Sequence, residues 1–198
     1  DGVLRAETEV TALVTLRRQL AGADIDISYN ALLLRILGVA LREHPRLNAT
    51  LEKDTIQVWR RVHVGLAVDS DRGLLVPVMR DVNRKGLAQL EEESQSLVER
   101  ARAGRCLPEE FSGGTFTLAN LGRFGIDSFT PLVPLSEGAV LGVGRIKTLP
   151  FGTGDQVIAR QTMWLSLSFD RRLVDAALAA RFVQRVVQLI EHPYLLLS

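Results

Sequence analysis

VHVGLAVDSDRGLLVPVMRDVNRKGLAQL, running from Val62 to Leu90, carries the reading of the fold. Its first residues alternate, with Val62, Val64, Leu66 and Val68 on one face, which is the two-residue period of a half-buried strand. DSDRG, Asp69 to Gly73, has the composition of a turn, and Leu74 to Met79 is a second apolar β-segment. Pro77 has no amide hydrogen to donate, so it puts that segment at a sheet edge or a bulge and not in a central ladder. From Leu87 to Ala103 the period becomes helical. Leu87, Leu90, Leu97, Val98 and Ala101 fall inward beneath an acidic outer face, and Gly104 is placed to cap the C-terminus.

The same alternation of strand and helix continues on both sides. Thr8 to Leu20 starts extended and ends with helical spacing. Asp26 and Ser28 are capping candidates for a helix over Tyr29 to His44. Its Leu32, Leu33, Ile36, Leu37, Ala40 and Leu41 form one stripe, and Pro45 stops it. Thr55 to Arg60 is β material. Downstream, SGGTFTLANLGRFGID gives a turn, a strand and a glycine-rich loop, GAVLGVGRI and QTMWLSLSF are further strands, and Asp175 to Glu191 is the last long helix. No repeat or linker-like stretch interrupts the pattern. The expected architecture is one α/β domain over residues 1–198, a mixed sheet with helices on one face.

Composition limits the partners. With 46% hydrophobic residues in 198, a substantial core is expected, and a net charge of +1 gives no broad electrostatic case for nucleic acid or an anionic membrane. No apolar run is long enough to span a bilayer. Cys106 stands alone, which excludes an internal disulfide framework and suits a reducing, cytoplasmic setting. His44, His63 and His192 are far apart and have no metal-ligand spacing. His44 and His192 each precede a proline at a helix end, as capping residues do, and His63 lies on a strand facing solvent or an interface.

LSLSFDRRLVDAALAARF, Leu165 to Phe182, concentrates charge where an apolar strand meets a helix. Asp170, Arg171, Arg172 and Asp175 read as a salt-bridged helix start, with Asp175 favoured by the helix dipole and able to pair with either arginine. In the loop Phe116 to Asp127, Gly122 and Gly125 permit conformations closed to other residues and Asn120 suits a turn. That loop lacks the phosphate-loop pattern.

Order and spacing of these stretches together are similar to one family. Along nearly its whole length the chain resembles the catalytic core of dihydrolipoamide acyltransferases, the E2 subunits of 2-oxo acid dehydrogenase complexes. TEVTALVTLRRQL, HPRLNATL, RGLLVPVMRD, GGTFTLANLGRFGID, GAVLGVGRI and SLSFDRRLVDAALAARF carry the likeness. It implies a two-layer, chloramphenicol acetyltransferase-like sandwich that forms trimers, with a site between subunits and a larger cubic or dodecahedral core. Coenzyme A and a lipoyl group are the implied substrates, with no metal. E1 and E3 components are implied partners through other regions of such chains, in the cytoplasm or the mitochondrial matrix. Lipoyl and subunit-binding domains and an N-terminal core arm are not seen here, so the chain reads as part of a longer protein.

At the implied catalytic positions the chain departs from the family. The resemblance places a histidine base in a D-H-R-x-x-D-G motif and an oxyanion-binding Ser or Thr in F-T-[IL]-[ST]-N. Here the first aligns with Asp170, Arg171, Arg172, Leu173, Val174, Asp175 and Ala176, so Arg171 holds the histidine position. Ala119 holds the Ser/Thr position, while Asp170, Arg172 and Asp175 match. An arginine has no acceptor lone pair and keeps its proton, so it cannot deprotonate a thiol. Three readings follow: an impaired core kept as an assembly scaffold, an active acyltransferase with a base elsewhere (His63 first), or a pocket turned to binding coenzyme A or another ligand through Arg171 and Arg172.

Overall fold

All residues from 1 to 198 are described by the computed structural model of the chain. In chain order the elements are β1 (Gly2–Glu9), α1 (Thr11–Gly22), α2 (Tyr29–Glu43), β2 (Ala49–Glu52), β3 (Thr55–Val58), β4 (Val64–Leu66), β5 (Val68–Ser70), β6 (Gly73–Leu75), β7 (Val78–Met79), α3 (Leu87–Arg102), β8 (Phe116–Asn120), β9 (Ala139–Val143), β10 (Lys147–Thr153), β11 (Gln156–Phe169) and α4 (Ala176–Glu191). Seven strands form one mixed sheet in the order β1-β11-β9-β8-β4-β7, with β10 paired to the first half of β11. β4, β8 and β9 run parallel, and the other pairs are antiparallel.

Alternation along β8 explains the two layers. Phe116 and Leu118 point into the core shared with the helices, where the Phe116 ring lies 5.6 Å from that of Phe182 on α4. Thr117 and Ala119 point the other way. On that second face the sheet is lined by small residues, and the Phe129 ring packs over Gly142, leaving no space for a Cβ there. Mixed sheet and helices on one face agree with the sequence reading.

α2 is the centre of the helical layer. Ser28 caps it by accepting from the Ala31 amide at 3.1 Å, and Glu91 of α3 accepts in turn from the Ser28 amide and hydroxyl. Its apolar stripe is fully buried. His44 and His192 are the C-caps of α2 and α4, as their place before proline predicts.

The reading is corrected in several places, the first being Leu74 to Met79, which divides between β6 and β7 in different sheets. Val62 to Asp69 is not one strand: β4 stays in the main sheet, and after Ala67 the chain leaves to form β5, which pairs with β6 in a separate ribbon. All four alternating residues remain buried, because Val68 turns back to the same core. Thr55 to Arg60 stops being a strand at Val58. GAVLGVGRI is extended only over Ala139–Val143, and the hairpin of β10 with the first half of β11 was not anticipated. Asp175 lies just before α4 and not in its first turn. Pro77 behaves as expected. It precedes β7, the edge strand, and its carbonyl accepts from the Leu66 amide at 2.8 Å.

Candidate active site

Asp170 and Arg172 form the rigid part of the charged turn. The Arg172 guanidinium grips the Asp170 carboxylate, Nη2 to Oδ2 at 2.6 Å and Nε at 3.0 and 3.1 Å, while the Arg172 amide donates to Oδ1 at 2.9 Å. The hydrogen bonds from Arg172 hold the Asp170 carboxyl below its usual range, against the opposing effect of burial. Arg171 stands between them with an exposed side chain that has no ion-pair or hydrogen-bond partner in the chain.

Asp175 pairs with neither arginine. Its Oδ1 accepts from the Leu178 amide at 2.7 Å, so it is the N-cap of α4 and satisfies a helix-end donor that would otherwise be orphaned. The carboxylate is used by the backbone, which is why the expected ion pair does not form. Asp175→Ala is expected to cost about 1 kcal/mol of stability in urea denaturation, the usual cost of losing such a cap. No loss would mean that the cap is replaced by solvent.

The structure does not bring Arg171 and Ala119 together. Ala119 is level with Gly142 on β9 and Ser166 on β11. Asp170 lies four residues beyond Ser166, about 13 Å along the strand, and two strands away, about 10 Å across. Within one chain these two positions occupy opposite ends of the sheet and cannot address the same reacting atom.

His63 does lie at the Arg171 end. Backbone hydrogen bonds run Asp170 to Gly138 at 2.9 Å, Gly138 to Thr115 at 3.2 Å and Thr115 to His63 at 3.1 Å, which puts His63 three strands from Asp170, about 14 Å. Its Nδ1 accepts from the Asp81 amide at 3.0 Å, so the neutral ring carries its hydrogen on Nε2. Burial lowers its pKa; Asp81 opposes this, and Arg80 and Arg61 add to it. The one lone pair of this histidine is already engaged.

Glu137, which the sequence reading passed over, sits in the same region. It is buried, accepts from Thr117 Oγ1 at 2.6 Å, and burial raises its pKa to about 7. A single acidic residue ahead of an apolar strand gives no signal of this in the sequence.

At the other end, a cavity of about 370 Å³ opens beside Asn120, Val143 and Gly144, beyond the C-terminal ends of the parallel strands β8 and β9. Open α/β sheets place ligands at that edge. Asn120 is fixed by donating to Asn30 Oδ1 at 3.1 Å and accepting from the Gly122 amide at 3.0 Å. Gly125 has φ +73, and a Cβ on Gly122 would stand 2.9 Å from the Gly144 carbonyl, so both expected glycine roles are present. Arg102, Arg123 and Arg145 are at the rim of a largely apolar interior.

Residues 3–198 match the family described as 2-oxoacid dehydrogenases acyltransferase (catalytic domain). The chain belongs to this family. Among its acyltransferase relatives, the lipoamide acyltransferase component of the branched-chain α-keto acid dehydrogenase complex of Pseudomonas aeruginosa is 40% identical over 94% of the chain and 45% of its own length. The mitochondrial pyruvate dehydrogenase protein X component of Mus musculus is 32% identical over 95% and 38%. The chain thus spans less than half the length of these relatives. The crystal structure of dihydrolipoamide acetyltransferase (E2p) from Azotobacter vinelandii superposes with a TM-score of 0.93 at 33% identity, over 100% of this chain and 84% of that one. A structure of the cubic core of the pyruvate dehydrogenase multienzyme complex gives the same figures. Chloramphenicol acetyltransferase, at 12% identity and TM-score 0.60 over 96% of this chain and 87% of that one, shares the fold. The acyltransferase family and the sandwich fold are those the motifs implied.

Proposed function

We propose that this chain is the core module of an E2-type acyltransferase whose own transfer site has lost its base and its oxyanion donor, and that it serves chiefly as an assembly scaffold of a 2-oxo acid dehydrogenase complex. One observation carries this reading. The Azotobacter study concerns a serine, a histidine and an asparagine in the catalytic mechanism of that enzyme, with the serine 52 residues before the histidine and the asparagine four after it. In this chain Ala119 stands 52 residues before Arg171, and Asp175 four after it. The pair that would abstract the thiol proton and bind the oxyanion is alanine and arginine.

Geometry supports the same reading. His63, the alternative base, has its acceptor nitrogen occupied by the Asp81 amide and offers the surroundings only an N–H. Of the other groups near Arg171, Asp170 is clamped by Arg172, Asp175 by its helix, and Glu137 is buried with its carboxylate bonded to Thr117. The turn has kept its shape and lost its chemistry.

Separation of Arg171 from Ala119 within one chain favours a site completed by a second copy, and so a trimer within a larger core. The family's acyl carriers, coenzyme A and the lipoyl group, suit the cavity beside Asn120, which offers apolar walls for a thioester-bearing arm and arginines for phosphates. E1 and E3 would join through other parts of the protein. Relatives from bacteria and mitochondria point to the cytoplasm or the mitochondrial matrix, and no helix is long and apolar enough to cross a membrane.

The test is acyl transfer from acetyl-CoA, and then from a branched-chain acyl-CoA, to dihydrolipoamide. The purified chain is expected to assemble and to give no rate above the uncatalysed exchange. Turnover typical of an acyltransferase, on the order of 1 s⁻¹ or more, would overturn the reading.

A further inference from the structure

At the sheet end that carries His63, a cleft of about 670 Å³ is walled by Thr50, Glu52, Trp59, Arg60, Arg61, Arg80 and the Gly113–Gly114 turn. That volume is within the usual range for small-molecule sites. The cleft is separate from the cavity beside Asn120 and shares no residue with it. Three arginines face one carboxylate, Glu52, in a protein whose net charge is only +1.

These cations are held in place by the fold. Arg80 Nη2 donates to the Glu109 carbonyl at 2.9 Å and the Ser112 carbonyl at 2.6 Å, which orients the guanidinium. A Cβ on Gly113 would come within 2.6 Å of Arg80 Nη1, and Gly113 has φ +81, so only glycine leaves that edge of the guanidinium clear. The amides of Gly113 and Gly114 donate to no backbone oxygen. Free amides next to a left-handed residue form the kind of concavity that binds anions. His63 presents Nε2–H, because Nδ1 is the acceptor for Asp81. Arg61 pairs with Asp81 at 3.2 Å and remains 65% exposed, while Arg60 has no partner.

Trp59 adds a feature that inorganic anions do not need. Its indole N–H donates to Thr50 Oγ1 at 2.9 Å, fixing the ring by its edge, yet the residue is 41% exposed. A large aromatic surface held beside arginines is a platform for a nitrogenous base whose phosphates reach the cations.

We propose that this cleft binds a nucleotide diphosphate, with its base on Trp59 and its phosphates on Arg60, Arg61 and Arg80 and the Gly113–Gly114 amides. Free ADP and the nucleotide end of coenzyme A share this chemistry. The site does not depend on whether Arg171 and Ala119 support catalysis.

Titration of the purified chain with ADP, followed by calorimetry, tests the assignment. ADP is expected to bind, more weakly as salt rises. Trp59→Ala should weaken ADP by roughly fivefold or more while leaving pyrophosphate binding unchanged. Arg60→Ala should weaken both ligands by about tenfold. Both side chains are exposed, so the variants should fold, and thermal melts check this. Displacement of ADP by coenzyme A would assign the site to that molecule's nucleotide end; binding that coenzyme A leaves untouched would assign it to a free nucleotide. No binding up to millimolar ADP, or equal affinity in the wild type and both variants, would overturn the proposal.

Discussion

Acyl transfer to dihydrolipoamide is expected to rise by roughly 10²–10⁴ when Arg171→His is combined with Ala119→Ser. On the proposed reading, the two changes supply a proton acceptor and a hydroxyl donor that Arg171 and Ala119 do not offer. The backbone needed to aim a histidine at position 171 is already fixed on both sides, by the Asp170–Arg172 pair and by the Asp175 cap. Ala119 is on a regular strand with 9% of its surface exposed, and serine adds one oxygen there without altering the ladder. Either single change is expected to recover much less than the pair, because residues that act on one transition state are strongly non-additive. If the native chain already turns over as fast as the double variant, Arg171 and Ala119 do not limit transfer and the proposed impairment is wrong. If the double variant stays silent while it still assembles, the channel between copies has been lost along with the chemistry.

The second large effect concerns stability and pH. Glu137 would titrate near 4.5 in an unfolded chain and does so at about 7 in the folded one, because burial penalises its charge and one hydrogen bond from Thr117 only partly offsets that. Between these two values the folded state binds the extra proton, so unfolding free energy falls as pH rises from 4.5 to about 7 and levels off above it. Such a displacement corresponds to about 3 kcal/mol. Glu137→Gln keeps an acceptor for Thr117 and removes the charge. Its stability relative to the wild type is expected to improve steadily across that window, by up to about 3 kcal/mol at pH 8. Urea denaturation at several pH values measures this. Parallel curves for the two proteins would mean that solvent reaches the carboxylate.

Legibility differed among the elements for identifiable reasons. α2, α3 and α4 were readable because each buries one stripe, and the period of that stripe is local information. The hairpin of β10 and β11 was missed although its turn was on display. Thr153 faces Gln156 across Gly154 and Asp155, with Gly154 at φ +59, a glycine-first two-residue turn. Its strands bury little: β10 alternates but is nowhere fully buried, and β11 is exposed from Gln156 to Ala159, so no apolar face marks the hairpin.

By itself the sequence determined the family, the layered fold and which residues stand at the two positions proposed for catalysis. It did so through short motifs whose order is covalent. Tertiary structure alone decided that Asp175 caps a helix and does not pair with an arginine, and that His63 has its lone pair engaged. It alone put Arg171 and Ala119 at opposite ends of one sheet, and buried Glu137 far enough to move its titration. These facts depend on which strands lie side by side and which atoms lose water. Both are set by contacts between residues distant in the chain, which no local pattern encodes.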